Sequence, residues 1–100
     1  MNLEDFGLTV TVEDITPEQA ASYLENNAKH RPIKQKNVDA YVSEMVNGQW
    51  QLNGKSIIFD SNGRLMNGQH RLSACVQSGV TLRILVVRGV DPSLLETKED

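Results

Sequence analysis

The first stretch of the chain alternates apolar and polar positions and then changes to a helical pattern. Residues 8 to 12 read Leu-Thr-Val-Thr-Val, and this period of two, with β-branched residues, predicts a half-buried strand. Residues 16 to 19, Thr-Pro-Glu-Gln, have the form of a capping box with proline at the first helical position. They predict a helix over 17 to 26. It must end before Pro32, because the residue that precedes a proline avoids the helical conformation.

A helical period governs two later segments. Apolar residues at positions 38, 41, 42 and 45 share one face of a helix, which we predict over 36 to 47. Leu72, Cys75 and Val76 repeat in the same way and predict a helix over 69 to 78 with these three residues on its buried face. Each segment is followed by a glycine, which favours the end of a helix.

Short apolar runs predict the remaining strands. Residues 56 to 60, Ser-Ile-Ile-Phe-Asp, precede an Asn-Gly pair at 62 and 63 that favours a tight hairpin turn into residues 64 to 66. The run from 81 to 87 is apolar apart from Arg83, which predicts a strand covered on both faces. The order strand, helix, helix, strand, strand, helix, strand predicts an α+β fold with a small mixed β-sheet and three main helices.

Length and composition limit the possible classes of protein. The chain has 100 residues, of which 39% are apolar and 23% charged, so we predict one globular domain over residues 1 to 100, with a polar tail from 91. No apolar run approaches the ~20 residues of a membrane span and the start lacks signal-peptide features, so we expect a cytoplasmic protein without membrane contact. The single cysteine, Cys75, allows no internal disulfide and no cysteine pair for zinc, and we predict no metal site.

Charge is unevenly distributed along the chain. The net charge is −3, yet residues 1 to 27 carry six acids and no base, whereas residues 28 to 90 carry nine bases and three acids. The densest basic stretch is 29 to 36, with four positive charges in eight residues. A local positive field favours phosphate or nucleic acid whatever the total charge, and the alternative is a solvated surface loop.

The junction between the predicted hairpin and the last helix carries the candidate chemistry. Backbone N–H groups in the first turn of a helix and the positive end of its dipole attract anions. Because Leu72 and Cys75 are assigned to the core, we expect His70 and Arg71 to point partly outward toward such a ligand. The candidate phosphate- or nucleotide-binding residues are Asn67, Gly68, Gln69, His70 and Arg71.

The alternative for this junction is structural. In that interpretation Asn67 caps the helix, Gly68 serves the turn, and Arg71 pairs with an acid such as Asp60. Trp50 is likewise better explained by core packing than by base stacking, and Cys75 by an inert core position than by a nucleophile.

The same residues resemble a known family. The motifs are Ile-Ile-Phe-Asp at 57 to 60, Gly-Arg-Leu at 63 to 65, Asn-Gly-Gln-His-Arg-Leu-Ser-Ala at 67 to 74 and Gly-Val at 79 and 80, preceded by Gly-Gln-Trp at 48 to 50. Together they resemble the ParB/sulfiredoxin superfamily, in the phage and plasmid branch whose motif is Asp-Gly-Gln-His-Arg. The resemblance covers about residues 8 to 90.

The resemblance implies a ligand and a set of contacts. In that superfamily the equivalent turn binds nucleotide phosphates, which implies phosphate binding by Gly68, His70 and Arg71 and a nucleoside triphosphate with Mg²⁺ as the cofactor. The basic stretch resembles the Asn-Arg-Pro connection of the same branch, which would bring Arg31 toward the motif. Further candidate phosphate contacts are Lys34 and Arg64.

Two departures from the family pattern argue against catalysis. Gln69 stands where sulfiredoxins have a nucleophilic cysteine and partition proteins a glutamate, and Asn67 replaces the aspartate of the branch. An amide is a poor Mg²⁺ ligand and no general base, so we expect at most weak nucleotide hydrolase or nuclease activity.

Two hypotheses therefore stay open. The first is a nucleotide- or phosphate-binding domain of phage or mobile-element origin that acts in DNA-associated processes. The second is a non-catalytic DNA- or protein-binding module with a vestigial pocket, for example a phage inhibitor of a host system. The sequence leaves the nucleotide, the choice between DNA and protein, and the oligomeric state undetermined.

Overall fold

The computed structural model describes residues 2 to 27 and 32 to 94. These residues form a small α+β domain with a four-stranded mixed sheet and three α-helices. The elements, in chain order, are a 3₁₀ turn Leu3–Phe6, β1 Thr9–Ile15, α1 Pro17–Glu25, α2 Gln35–Val46, β2 Ser56–Asp60, β3 Leu65–Asn67, α3 Gln69–Ser78, β4 Leu82–Val90 and a 3₁₀ turn Pro92–Leu94. Over the two described ranges, no helix combines the length and the apolar character that crossing a membrane requires.

The strands lie in the order β1-β4-β2-β3. β4 is antiparallel to β1 and parallel to β2, and β3 returns antiparallel to β2 through the predicted hairpin turn, where Gly63 has a φ of 80°. The return from β2 to its parallel neighbour β4 passes through β3 and α3. This crossover places the junction between β3 and α3 beside the parallel pair of strands.

The predicted helices are confirmed to within one residue at each end. At the start of α1 the Gln19 N–H donates to Thr16 Oγ1 at 3.2 Å, and the Gln19 side chain accepts from the Thr16 N–H at 3.0 Å. This is the predicted capping box, with Pro17 at the first helical position. In α2, Val38 and Met45 are buried, and the other two residues of the predicted face pack against the core from partly buried positions.

One face of the sheet carries the core, and the other is only half covered. On β4, Leu82, Ile84 and Val86 are buried, whereas Leu85 is half-buried and Arg83 exposed. The prediction that both faces of this strand are covered is therefore wrong. β4 does lie in the interior of the sheet, between β1 and β2, as its continuous apolar run suggests. Its buried side chains, however, lie on one face only.

Two other predictions of burial are also corrected. β1 forms, but Val10 and Val12, the apolar residues of its alternating pattern, are 44% and 53% exposed, and the buried residue of the strand is Ile15. On α3, Val76 is 39% exposed, and Ala74 is fully buried. On β1 the alternation is right, but the side of the strand that the core covers is the other one. On α3 the predicted burial of Leu72 and Cys75 is confirmed, and only Val76 departs from it.

Candidate functional site

The site predicted from the motif begins at Gly68, which precedes α3. Its φ is +111°, in the left-handed region, and a Cβ there would lie 2.4 Å from Ile57 Cδ1. Glycine is therefore required by the backbone conformation and by close packing on β2. Gly68 is the N-cap of α3, and no side chain caps the helix. The interpretation of Asn67 as the cap is therefore wrong, because Asn67 is the last residue of β3.

The next three residues are buried. Gln69 is 5% exposed, His70 8% and Arg71 1%. The expectation that His70 and Arg71 point outward is therefore wrong. α3 packs against both α1 and α2, and its Cys75 Sγ donates to the Ile15 carbonyl at the end of β1. Because α3 has neighbours on several sides, even the polar residues of its first turn are enclosed.

Hydrogen bonds connect the motif to the segment between α1 and α2. The Asn27 amide donates to Gln69 Oε1, and the Lys34 backbone N–H donates to His70 Nε2 at 3.1 Å. Since Nε2 accepts, we place the proton of the neutral imidazole on Nδ1. The motif side chains thus hold together the end of α1, the start of α2 and the first turn of α3.

Some buried polar atoms at the junction are unsatisfied. Among the described residues, His70 Nδ1 and Asn67 Oδ1 are buried and have no hydrogen-bond partner. A buried donor or acceptor without a partner costs about 1–3 kcal/mol, so such atoms are candidates for contact with water or a ligand. A protonated Nδ1 can donate to a phosphate oxygen, and the Asn67 carbonyl oxygen can only accept.

Asp60 and Arg64 form a second polar group, at the hairpin between β2 and β3. Asp60 is 2% exposed, and its carboxylate accepts from the backbone N–H groups of Asn62 and Arg64 and from Arg64 Nε at 3.0 Å. Burial acts to raise the pKa of Asp60, but these hydrogen bonds and the Arg64 charge outweigh it and lower the pKa from its usual value. The ion pair of Asp60 is thus with Arg64, whereas the sequence suggested Arg71.

The remaining predicted phosphate contacts are only partly tested by the geometry. Arg31 lies outside the described residues. Lys34 is exposed and meets the motif through its backbone N–H, and the half-exposed Arg64 side chain is held by Asp60. The backbone of Lys34 thus contacts the motif, whereas the side chain of Arg64 forms an ion pair with Asp60 at the hairpin.

Cys75 and Trp50, the other two candidates, make contacts inside the fold. Burial raises the pKa of the Cys75 thiol, whose Sγ lies 3.5 Å from the Ile15 carbonyl oxygen and 3.2 Å from that of Val80, so its one hydrogen can be donated to either. The Trp50 indole N–H donates to the Arg83 carbonyl at 2.9 Å, and its ring meets Tyr41 edge-on. Within residues 2–27 and 32–94, no three His, Cys, Asp or Glu side chains are grouped in a way that could hold a metal ion.

Sequence reasoning missed the role of two asparagines after α1. The backbone carbonyl of Asn26 accepts from the Leu65 N–H at 2.8 Å, and the side-chain amide of Asn26 donates to the Gly63 carbonyl at 3.2 Å. Asn27 forms an isolated bridge with Leu65 and also bonds to Gln69. The only signal for these two residues in the sequence was an Asn-Asn pair at the end of a helix. Such a pair predicts where the helix ends but does not predict which distant residues it contacts.

A scan against protein-family models and searches of curated proteins and of solved structures found no match to this chain. Membership of the ParB/sulfiredoxin superfamily therefore stays a prediction from the motifs.

Proposed function

We propose that this chain is a ParB/sulfiredoxin-like domain of phage or mobile-element origin that binds a macromolecular partner, DNA or protein, without catalysing a reaction. The observation that carries the proposal is the enclosure of the motif. Gln69, His70 and Arg71 are each less than a tenth exposed, and the side chains of Gln69 and His70 bond to the segment between α1 and α2. In such a domain the pocket of the family is vestigial, and its residues stabilise the fold.

The chemistry of the motif supports a non-catalytic function. Gln69 Oε1 accepts from Asn27, and an amide cannot act as a general base. The carboxylate of Asp60 is buried in an ion pair with Arg64, with its pKa lowered. An acid held in this way is poorly suited to proton transfer near neutral pH.

The second candidate is the binding of a nucleotide or another phosphate ligand at residues 67 to 71, with Mg²⁺ accompanying a nucleoside triphosphate. The observation that favours it is the unsatisfied His70 Nδ1 at the start of α3. Phosphate oxygens accept hydrogen bonds from such donors, and a helix N-terminus adds favourable potential. Arg31 and Lys34 would supply the positive charge, since the charge of Arg64 is already paired with Asp60.

A calorimetric titration with the four ribonucleoside triphosphates, with and without Mg²⁺, separates the two candidates. We expect no binding at millimolar nucleotide and no hydrolysis. A nucleotide affinity that Lys34→Ala weakens, while the control Lys55→Ala leaves it unchanged, would replace the proposal with the second candidate. Both lysines are exposed, so neither variant endangers the fold.

A titration with duplex DNA at increasing salt distinguishes the two classes of partner. Affinity that falls steeply with salt indicates phosphate contacts and a DNA partner. Without DNA affinity, a protein partner is the remaining form of the proposal, and recovery of one specific protein bound to the chain would support it. If neither DNA nor any protein binds, the proposal is wrong.

A further inference from the structure

The start of α2 is exposed, and hydrogen bonds connect it to α3. Residues 32 to 37 are all exposed, and no side chain caps the helix at its N-cap residue, Lys34. The Lys34 N–H donates to His70 Nε2 at 3.1 Å. The Gln35 side-chain amide donates to Gln77 Oε1 at 2.9 Å. Both of these glutamines are exposed and compete with water, so the bond to the buried His70 is the firmer of the two attachments.

The bond to Lys34 requires a neutral imidazole. Nε2 accepts a hydrogen bond only while it carries no proton, whereas an imidazolium has an N–H group on both nitrogens and no acceptor. A second proton on His70 would set its Nε2–H against the Lys34 N–H, one donor against another. The bond therefore exists in one protonation state of His70 and not in the other.

The closed arrangement offers an imidazolium no acceptor. His70 is 8% exposed, and among the described residues its buried Nδ1 has no hydrogen-bond partner. A buried charge is costly unless an acceptor or an opposite charge compensates it. With a donor at Nε2 and an unpaired Nδ1, a charged ring is stable only after it has separated from the start of α2.

The charged groups around His70 do not compensate a second proton. α3 packs against α1 and α2, and its N-cap lies against β2. The titratable side chains of these elements are Glu18, Tyr23 and Glu25 of α1, Lys34, Lys36, Asp39, Tyr41 and Glu44 at the start of α2 and along it, and Asp60 of β2. None of these side chains bonds to His70, and Asp60 is paired with Arg64. On α3 itself the adjacent residue is the buried Arg71, whose positive charge opposes another one nearby.

We propose that this contact is a proton-controlled switch, in which protonation of His70 breaks its bond to Lys34 and releases the start of α2 from the first turn of α3. The change is local, because Val38 and Met45 are buried and keep the rest of α2 packed on the core. Release opens the enclosed motif to solvent in acid, and deprotonation closes it again. The proposal goes beyond the function proposed for the chain and does not depend on it.

Amide hydrogen exchange of the full chain, followed by NMR from neutral pH to about pH 5, tests the switch. A free imidazole takes up its proton near pH ~6.5. Below that pH we expect the protection factor of the Lys34 N–H to fall by up to about tenfold per pH unit, because each opening takes up one proton. The control is the Gln19 N–H, which is bonded to Thr16 Oγ1, an acceptor that does not titrate, and its protection factor should stay constant. A Lys34 protection factor that is independent of pH overturns the proposal.

Two glutamine variants test whether His70 is the group that titrates. The amide of His70→Gln does not change its charge over this pH range, so the protection of the Lys34 N–H should no longer depend on pH. His30→Gln is the matched control, because it removes the other histidine of the chain, and it should keep the pH dependence of the natural chain. An unchanged pH dependence in His70→Gln, or its loss in His30→Gln, overturns the assignment to His70.

The imidazole nitrogen shifts of His70 in the natural chain give a test that needs no variant. At neutral pH we expect the tautomer with its proton on Nδ1, since Nε2 accepts from Lys34. The imidazolium should appear over the same pH range in which the Lys34 N–H loses its protection. An imidazolium that coexists with a protected Lys34 N–H overturns the proposal, because a protonated Nε2 cannot accept that bond.

Discussion

At one edge of the sheet β3 is only three residues long, and Asn26 and Asn27 close it, whereas at the other edge β1 extends over seven residues. Beyond β1 the described part of the chain places no further strand. The closed edge continues directly into Gly68 and α3, where Gln69 and His70 bond to the segment before α2. The two edges thus differ in length and also in what their residues contact.

The distribution of polar and apolar side chains is inverted between the two edges. Buried polar groups collect beside the closed edge, while two valines of the open edge are about half exposed. A buried polar group or an exposed apolar patch is more informative than the reverse. The difference teaches that the motif with the most suggestive chemistry makes contacts inside the molecule, whereas two apolar side chains of the least chemically distinctive strand face away from the core.

The largest expected effect concerns Gly68 at the closed edge. Gly68→Ala should lower the free energy of unfolding by about 2–5 kcal/mol, because it combines an unfavourable positive φ with overpacking against Ile57. Gly48→Ala is the matched control, since its φ is +68° but nothing lies within 4 Å of the added Cβ. It should cost about 1–2 kcal/mol. Urea unfolding measures both, and equal losses would show that the junction is loosely packed.

Arg71→Ala should be the next most damaging change. The side chain is 1% exposed, so its removal leaves a buried void and a loss of about 2–4 kcal/mol. Arg64→Ala, at a side chain that is 44% exposed, should cost about 1 kcal/mol. Thermal unfolding of the two variants compares them, and an Arg71→Ala protein of undiminished stability would return Arg71 to a ligand-binding role.

Asp60, next to the closed edge, makes the stability of the fold depend on pH. Its pKa in the folded chain is below the ordinary value, so its stabilisation is complete above the unfolded pKa of ~3.9 and is lost as the pH falls through the folded pKa. Asp60→Asn should cost about 1.5–3 kcal/mol at neutral pH and reduce the acid-induced loss of stability. Melting temperatures between neutral and strongly acidic pH test this. An unchanged acid profile in the variant would mean that the Arg64 pair contributes nothing.

The smallest effect on folding is expected at the open edge. Val12→Lys should change the stability of the monomer by no more than about 0.5 kcal/mol, because the residue is more than half exposed. Ile15→Ala, three residues further along the same strand, removes a side chain that is 1% exposed and should cost about 2–5 kcal/mol. Urea unfolding of the two variants and of the natural chain measures both effects. A large loss in Val12→Lys would show that β1 is covered after all.

Local signals in the sequence determined where the elements begin and end. The capping box at Thr16, the helical period of α2 and the Asn-Gly turn at 62 and 63 each act over a few residues, so they predict structure without knowledge of the rest of the chain. The α+β class and the three helices follow from the order of these elements.

Only the tertiary structure decided which faces are covered. The period of a strand or helix tells which residues share a face, but the burial of that face depends on where the other elements pack. The same alternation that predicted a half-buried β1 leaves Val10 and Val12 exposed, since they lie on the face of the sheet opposite Ile15 and the core. The charged motif of α3 is enclosed for the corresponding reason, because α1 and α2 both pack against that helix.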